Sequence, residues 1–159
     1  MTKIAHKLGF YATPPHDCSY LTDKQAITLF ADPHFPKSRR LYSALLDNGF
    51  RRSGEHLYQP YCSDCSACIP IRIPVNRFKP TRNQVRTWRR NQDLVIRPLA
   101  AEFDQQHFEL YQRYLASRHA GGGMDNPTPE NYMDFLTASW ADTAFYEMKL
   151  GDQLLALAA

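Results

Sequence analysis

The sequence predicts an α+β chain made of two modules, a small cysteine-bearing one over residues 1–76 and a second over 77–159. Three observations carry this. Three of the four cysteines crowd into YCSDCSACIP, between two strand-like stretches. Composition shifts at VNRFKPTRN. Beyond that point the pattern runs strand, helix, helix, strand, strand.

Taken in order, Thr22 and Gln25 have capping-box spacing, and they predict a short helix through Ala26, Ile27, Leu29 and Phe30 that Pro33 closes. Ser38 caps a second helix, in which Leu41, Tyr42, Leu45 and Leu46 recur at helical spacing, with Asn48-Gly49 as its end. Residues 55–61 read as a strand. So does IPIRIPV over 69–75, whose prolines confine it to an edge or irregular position. In the second module residues 94–99 form a strand. A periodic helix follows, with His107, Phe108, Tyr111, Tyr114, Leu115 and Arg118 on one stripe and Gly121-Gly122-Gly123 at its end. Thr128-Pro129 starts another helix, carrying Tyr132, Phe135 and Leu136. Residues 143–150 and 154–159 pair about Gly151-Asp152. The chain ends on apolar LLALAA, leaving a sheet edge open, and a truncated C-terminus is expected.

Composition narrows the function classes. No apolar run approaches the ~20 residues of a membrane span, and MTKIAHKLGF is no secretory leader, so a cytoplasmic protein without a membrane partner is expected. In that reducing setting, clustered cysteines serve more often as metal or redox ligands than as disulfides. Cys62, Cys65 and Cys68 supply three thiols; Cys18, a histidine (His16 or His56) or solvent would complete four-fold ligation of zinc or an iron–sulfur cluster. The plain alternative is reduced side chains in a turn.

Net charge is only +3, but Arg72, Arg77, Lys79, Arg82, Arg86, Arg89, Arg90 and Arg97 face one acid, Asp93, across 72–97. In TRNQVRTWRRNQ a helix would gather Arg82, Arg86, Arg89 and Arg90 on one face and Val85 and Trp88 on another, with Trp88 expected to anchor the helix. Like charges so close repel unless a polyanion neutralises them, and guanidinium forks suit phosphate. A solvated basic face is the bland alternative.

The stretch RRSGEHLYQPYCSDCSACIPIRIPVNRF, with PHDCSYLTDKQAITLFADP before it and FELYQRYLASRHAGGGM after it, resembles the bacterial aminoacyl-tRNA–protein transferases. These are the aspartate/glutamate leucyltransferases, related to eukaryotic arginyl-tRNA–protein transferases. The resemblance spans essentially the whole chain. It implies an N-terminal module holding Cys18, Cys62, Cys65 and Cys68, and the first part of a GCN5-type N-acetyltransferase-like domain. Where eukaryotic relatives have CxxC and CC, this chain has Leu21 at the second CxxC position and CxxCxxC. The implied activity is transfer of leucine from aminoacyl-tRNA to proteins beginning with Asp or Glu, creating a degradation signal. Arginyl transfer is the alternative, as is a non-enzymatic metal-dependent nucleic-acid-binding module.

On this reading Arg72, Arg77, Lys79, Arg82, Arg86, Arg89 and Arg90 meet tRNA, Arg52 and Arg118 meet the acidic acceptor, and Tyr111, Tyr114 and His119 are the catalytic candidates. Zinc or an iron–sulfur cluster is the expected cofactor, and no nucleotide cofactor is. An acyl-coenzyme A enzyme would place a glycine-rich loop before a helix, whereas Gly121-Gly122-Gly123 follows one.

Overall fold

The computed structural model describes residues 7–119, 121 and 124–159. The chain divides into two compact units, one from Met1–Ile71 with Ser139–Ala141 and one from Arg72–Ala138 with Asp142–Ala159.

The first unit contains β1 (Phe10–Ala12), β2 (His16–Asp17), β3 (Gln25–Ala26), β4 (Thr28–Ala31), α1 (Arg39–Asp47), β5 (Arg51–Ser53) and β6 (His56–Pro60). Four strands make an antiparallel sheet in the order β1-β4-β6-β5, and β2 and β3 form a separate two-stranded ladder. Helix α1 starts where Ser38 accepts from the Leu41 N–H at 3.2 Å. It stops at Gly49 (φ 84°), where Gly49 N–H bonds the Leu46 carbonyl and Phe50 N–H the Leu45 carbonyl, a Schellman closure that favours glycine. Buried Leu45 then meets Ala31, Phe50 and Leu57, with Tyr42 and Trp140 packed alongside at 5.2 Å between rings.

Two sequence expectations fail here. Residues 25–26 and 28–31 are strand rather than helix. Gln25 bonds Asp17 at 2.8 Å and so takes no part in the cap expected with Thr22, while β4 is claimed on both sides by β1 and β6. Long-range ladder bonds outweigh one local capping pair. Residues 69–75 pair with no strand: Pro70 and Pro74 lack donors, Val75–Arg77 turns into a 3₁₀ helix, and Ile69, Ile71, Ile73 and Val75 are exposed.

The second unit contains α2 (Arg82–Arg90), β7 (Val95–Ala100), α3 (Gln105–Arg118), α4 (Pro129–Leu136), β8 (Ala144–Leu150) and β9 (Gln153–Ala158). Its sheet runs β7-β8-β9, all antiparallel, with Pro98 confined to the edge strand β7. Gly151 (φ 56°) opens the β8–β9 turn. Asp104 caps α3, and Thr128 with Pro129 begins α4. The expected glycine stop is not tested, because Gly122 and Gly123 lie outside the described residues; α3 ends on His119, whose N–H bonds the Leu115 carbonyl at 2.8 Å. Phe108, Leu115, Tyr132 and Phe145 are the buried hydrophobic side chains of this unit. No helix among the described residues is long and apolar enough to cross a membrane.

Candidate functional site

In the second unit α3, α4 and β9 enclose a cavity of about 310 Å³. Tyr111 and Tyr114 line it, one helical turn apart, as do His107, Tyr132 and the leucines Leu110, Leu136, Leu155 and Leu157. Tyr111 meets Tyr132 in a tilted ring contact at 5.0 Å between centroids, and burial raises the pKa of its hydroxyl. Burial, with Asp104 and Tyr111 nearby, pushes the Tyr132 hydroxyl up to about 12, so it stays protonated at neutral pH. His119 does not line the cavity; its Nε2 meets the exposed Tyr114 hydroxyl at 3.3 Å.

Behind this wall lies a constellation the sequence reading did not single out. His107 Nε2 sits 3.1 Å from Glu147 Oε2, and Lys149 Nζ sits 3.1 Å from Glu147 Oε1. Only 4% of His107 and 7% of Glu147 is exposed. The hydrogen bond from His107, then Lys149, holds the Glu147 carboxyl below the usual carboxylate range against the opposing effect of burial. With Nε2 engaged by that carboxylate, Nδ1 is the remaining polar atom of the ring. It is buried without a partner, as is the Tyr132 hydroxyl. The signal was present in FYEMK: Phe145, Glu147 and Lys149 alternate on one strand face, which puts a carboxylate on the buried side.

The first unit carries a different cavity, of about 810 Å³. Cys18, Cys62, Cys65 and Cys68 all line it, half-buried and free, together with His16. Cys18 follows β2, held by its N–H to the Lys24 carbonyl at 2.9 Å; Cys62 follows β6, with its Sγ 3.9 Å from the Ile27 carbonyl. As donors the four thiols suit zinc or an iron–sulfur cluster. Among the described residues no three Cys, His, Asp or Glu side chains are grouped to hold a metal ion. His56, the other nitrogen donor considered, lies off this cavity.

Arg72, Arg77, Lys79, Arg82, Arg86, Arg89 and Arg90 are all exposed. Helix α2 rests on a full capping box between Thr81 and Gln84, and Arg89 and Arg90 occupy its last turn, where the helix dipole favours cations. Trp88 is no buried anchor: 63% of it faces solvent, and Val85 alone on α2 is half-buried. Arg52 lies in β5 and donates to the Gly54 carbonyl at 3.4 Å; Arg118 is exposed in the last turn of α3. The two acceptor candidates thus belong to different units.

A family match fits this division of features. Residues 16–86 match the family described as arginine-tRNA-protein transferase, N terminus, a stretch that holds all four cysteines and the basic residues through Arg86. Residues 106–159 match its C-terminal counterpart and include every residue lining the tyrosine cavity. The chain belongs to the arginine-tRNA-protein transferase family. Among individual relatives it is 49% identical over 158 residues to the aspartate/glutamate leucyltransferase of Pseudomonas fluorescens (strain Pf0-1) and equally to that of Pseudomonas syringae pv. syringae (strain B728a). Each alignment covers 99% of this chain and 67% of the relative. It is 50% identical over 151 residues to the protein of the same name from Hahella chejuensis, covering 95% of this chain and 64% of that one. No solved structure matches the chain.

Proposed function

We propose that the protein transfers leucine from aminoacyl-tRNA to the N-terminal amine of proteins beginning with Asp or Glu, marking them for degradation. The observation that carries this is the 49% identity, over 99% of the chain, to proteins named aspartate/glutamate leucyltransferase. The aminoacyl ester is already activated, so the protein has mainly to align two reactants and favour the oxyanion. The attacking amine titrates near pH ~8 and needs only a weak base. A substrate drawn from the translation pool gives the reaction a cytoplasmic setting.

In this scheme Arg72, Arg77, Lys79, Arg82, Arg86, Arg89 and Arg90 take tRNA phosphates, a reading supported by their common exposure. Arg52 and Arg118 are the proposed cations for the acceptor's carboxylate. Tyr111 and Tyr114 are the proposed groups at the reacting ester, supported by their place on the cavity wall, with His119 acting on the Tyr114 hydroxyl. The order β7, α3, α4, β8, β9 supports the first part of a GCN5-type N-acetyltransferase-like domain as the ancestry of the second unit.

The cysteines are proposed to bind zinc or an iron–sulfur cluster, supported by the one cavity that all four share. Either group would supply soft-metal thiolate ligation and brace the loop over 62–68; no step of the transfer passes through it. Metal and iron content after anaerobic purification tests this, with Cys62, Cys65 and Cys68 replaced together as the control. Unchanged content in the triple variant would rule the ligands out.

The activity itself is tested with labelled Leu-tRNA and peptides beginning with Glu, Asp or Ala. Labelling of the first two only is expected. Equal labelling of all three, or of none, defeats the assignment.

A further inference from the structure

The four-stranded sheet of the first unit has two faces of different character. Leu29 and Ala31 of β4 and Leu57 of β6 join Leu45 of α1 in the core. Strand alternation therefore sends Phe30 of β4, with Asp32 just beyond it, and His56 and Tyr58 of β6 to the opposite face. The ladder registers extend that set into a row across all four strands: Tyr11 opposes Phe30, Phe30 opposes Tyr58, and Tyr58 opposes Arg51. Three aromatic residues thus follow one another at strand pitch, with a guanidinium closing the row.

This row is not spent on the core. Tyr11 is 59% exposed, and Phe30, Tyr58 and Arg51 are half-buried. Phe30 meets Tyr58 at 5.8 Å and His56 at 5.9 Å between centroids, so its ring is held from both sides. Tyr11 and Phe30 line a groove of about 590 Å³ together with Asp32, His34 and His56. Tyr58 and Arg51 line the thiol cavity, whose wall also carries Lys24 and includes no carboxylate. Among the described residues the Arg51 guanidinium has no hydrogen-bond or ion-pair partner.

Rings set along a sheet beside unpaired cations match the needs of unpaired nucleotides. Each base offers a face that stacks on an aromatic ring, and each phosphate calls for a cation. Paired bases hide those faces within their own helix. An apolar polypeptide would cover Arg51 and Lys24 without supplying a counter-charge. Asp32 accepts from the His34 backbone N–H at 2.9 Å, and its carboxylate suits the exocyclic amine of a base rather than a phosphate.

We propose that this open sheet face is a stacking platform for unpaired nucleotides, in which Tyr11, Phe30 and Tyr58 take base faces and Arg51 takes a phosphate. It goes beyond the aminoacyl-transfer reading, because it adds a nucleic-acid contact on strands of the first unit and needs no aminoacyl group.

The probe is an unstructured RNA of about 12 nucleotides, within the ~4–16 that such a groove engages, compared with a blunt RNA duplex of the same sequence. Tyr11→Ala should weaken binding of the single strand about 5- to 150-fold, the range of one lost base–ring stack, and Tyr11→Phe should restore it. The duplex should lose less than about twofold, since its bases present no free faces. Arg51→Gln should lower the log–log salt slope for the single strand by about 0.7. Unchanged single-strand affinity in Tyr11→Ala, an equal loss with the duplex, or no single-strand binding at all overturns the platform. A second measurement needs no variant: the same RNA carrying bromouridine should crosslink under ultraviolet light to Tyr11, Phe30 or Tyr58. Crosslinks confined to other residues, or displacement of the RNA from these rings by an equal concentration of an acidic peptide of the same length, also overturn it. Every readout uses uncharged RNA, so the platform stands or falls separately from leucine transfer.

Discussion

Helices α2 and α3 both follow a side-chain cap and both carry aromatic residues, yet they are held by different physics. On α2 no residue is buried, and its order comes from the Thr81–Gln84 box and from arginines at the favourable end of the dipole. On α3, His107, Phe108 and Leu115 are buried, and the helix packs against β9. Local chemistry makes α2 a helix and leaves most of its surface, arginines included, exposed. Tertiary packing makes α3 a helix and turns one of its faces into a cavity wall.

That contrast breaks most readily at Phe108. Truncating this buried ring to alanine should cost about 3–5 kcal/mol, whereas Trp88→Ala on α2 should change stability by less than about 0.5 kcal/mol. Urea unfolding of the two variants checks both, and comparable losses would mean that α2 is packed after all.

The buried pair sharpens it next. His107→Ala should destabilise by about 1–3 kcal/mol, the penalty for stranding a buried polar partner. Glu147 adds a pH signature. Its folded pKa lies below the usual value of 4.5, so its stabilisation is complete above that value and is lost as pH falls through the lower folded one. Glu147→Gln should therefore flatten the acid limb of the stability curve between those two values. A wild-type-like acid limb would show that Lys149 and His107 do not hold this charge.

For α2 the corresponding effect is on binding. Replacing Arg82, Arg86 and Arg90 by Gln should reduce the salt dependence of tRNA affinity by about 2–3 in log–log slope, from roughly 0.7–0.9 per phosphate released. An unaltered slope returns this face to plain solvation. The smallest effect is expected for Thr81→Ala, about 1 kcal/mol confined to the helix. Amide exchange should quicken across residues 82–90 and stay unchanged in α3.

The same division governs what could be read in advance. Ser38, Thr128-Pro129 and Asn48-Gly49 mark helix ends through bonds made within a few residues, and the structure places them so. Gln25 was misread because its partner, Asp17, is supplied by a hairpin that no local rule announces. Trp88 departs in the opposite sense, since an apolar ring next to arginines suggests an anchor while most of it faces solvent. Tyr111 and Tyr114 stand as candidates through the family resemblance, which says nothing of the leucines of β9 that line the same cavity. The pair of His107 with Glu147 spans forty positions, and neither residue advertises the other.

By itself, then, the order of amino acids determined the caps, the arginine-laden helix, the thiol-rich loop and the family to which the chain belongs, because each depends on neighbours or on residue identity alone. Only the folded chain decided that residues 25–26 and 28–31 extend, that four separate cysteines share one cavity, and that a carboxylate sits buried between an imidazole and an ammonium group. These depend on distances between remote segments, which are set by which surfaces exclude water together.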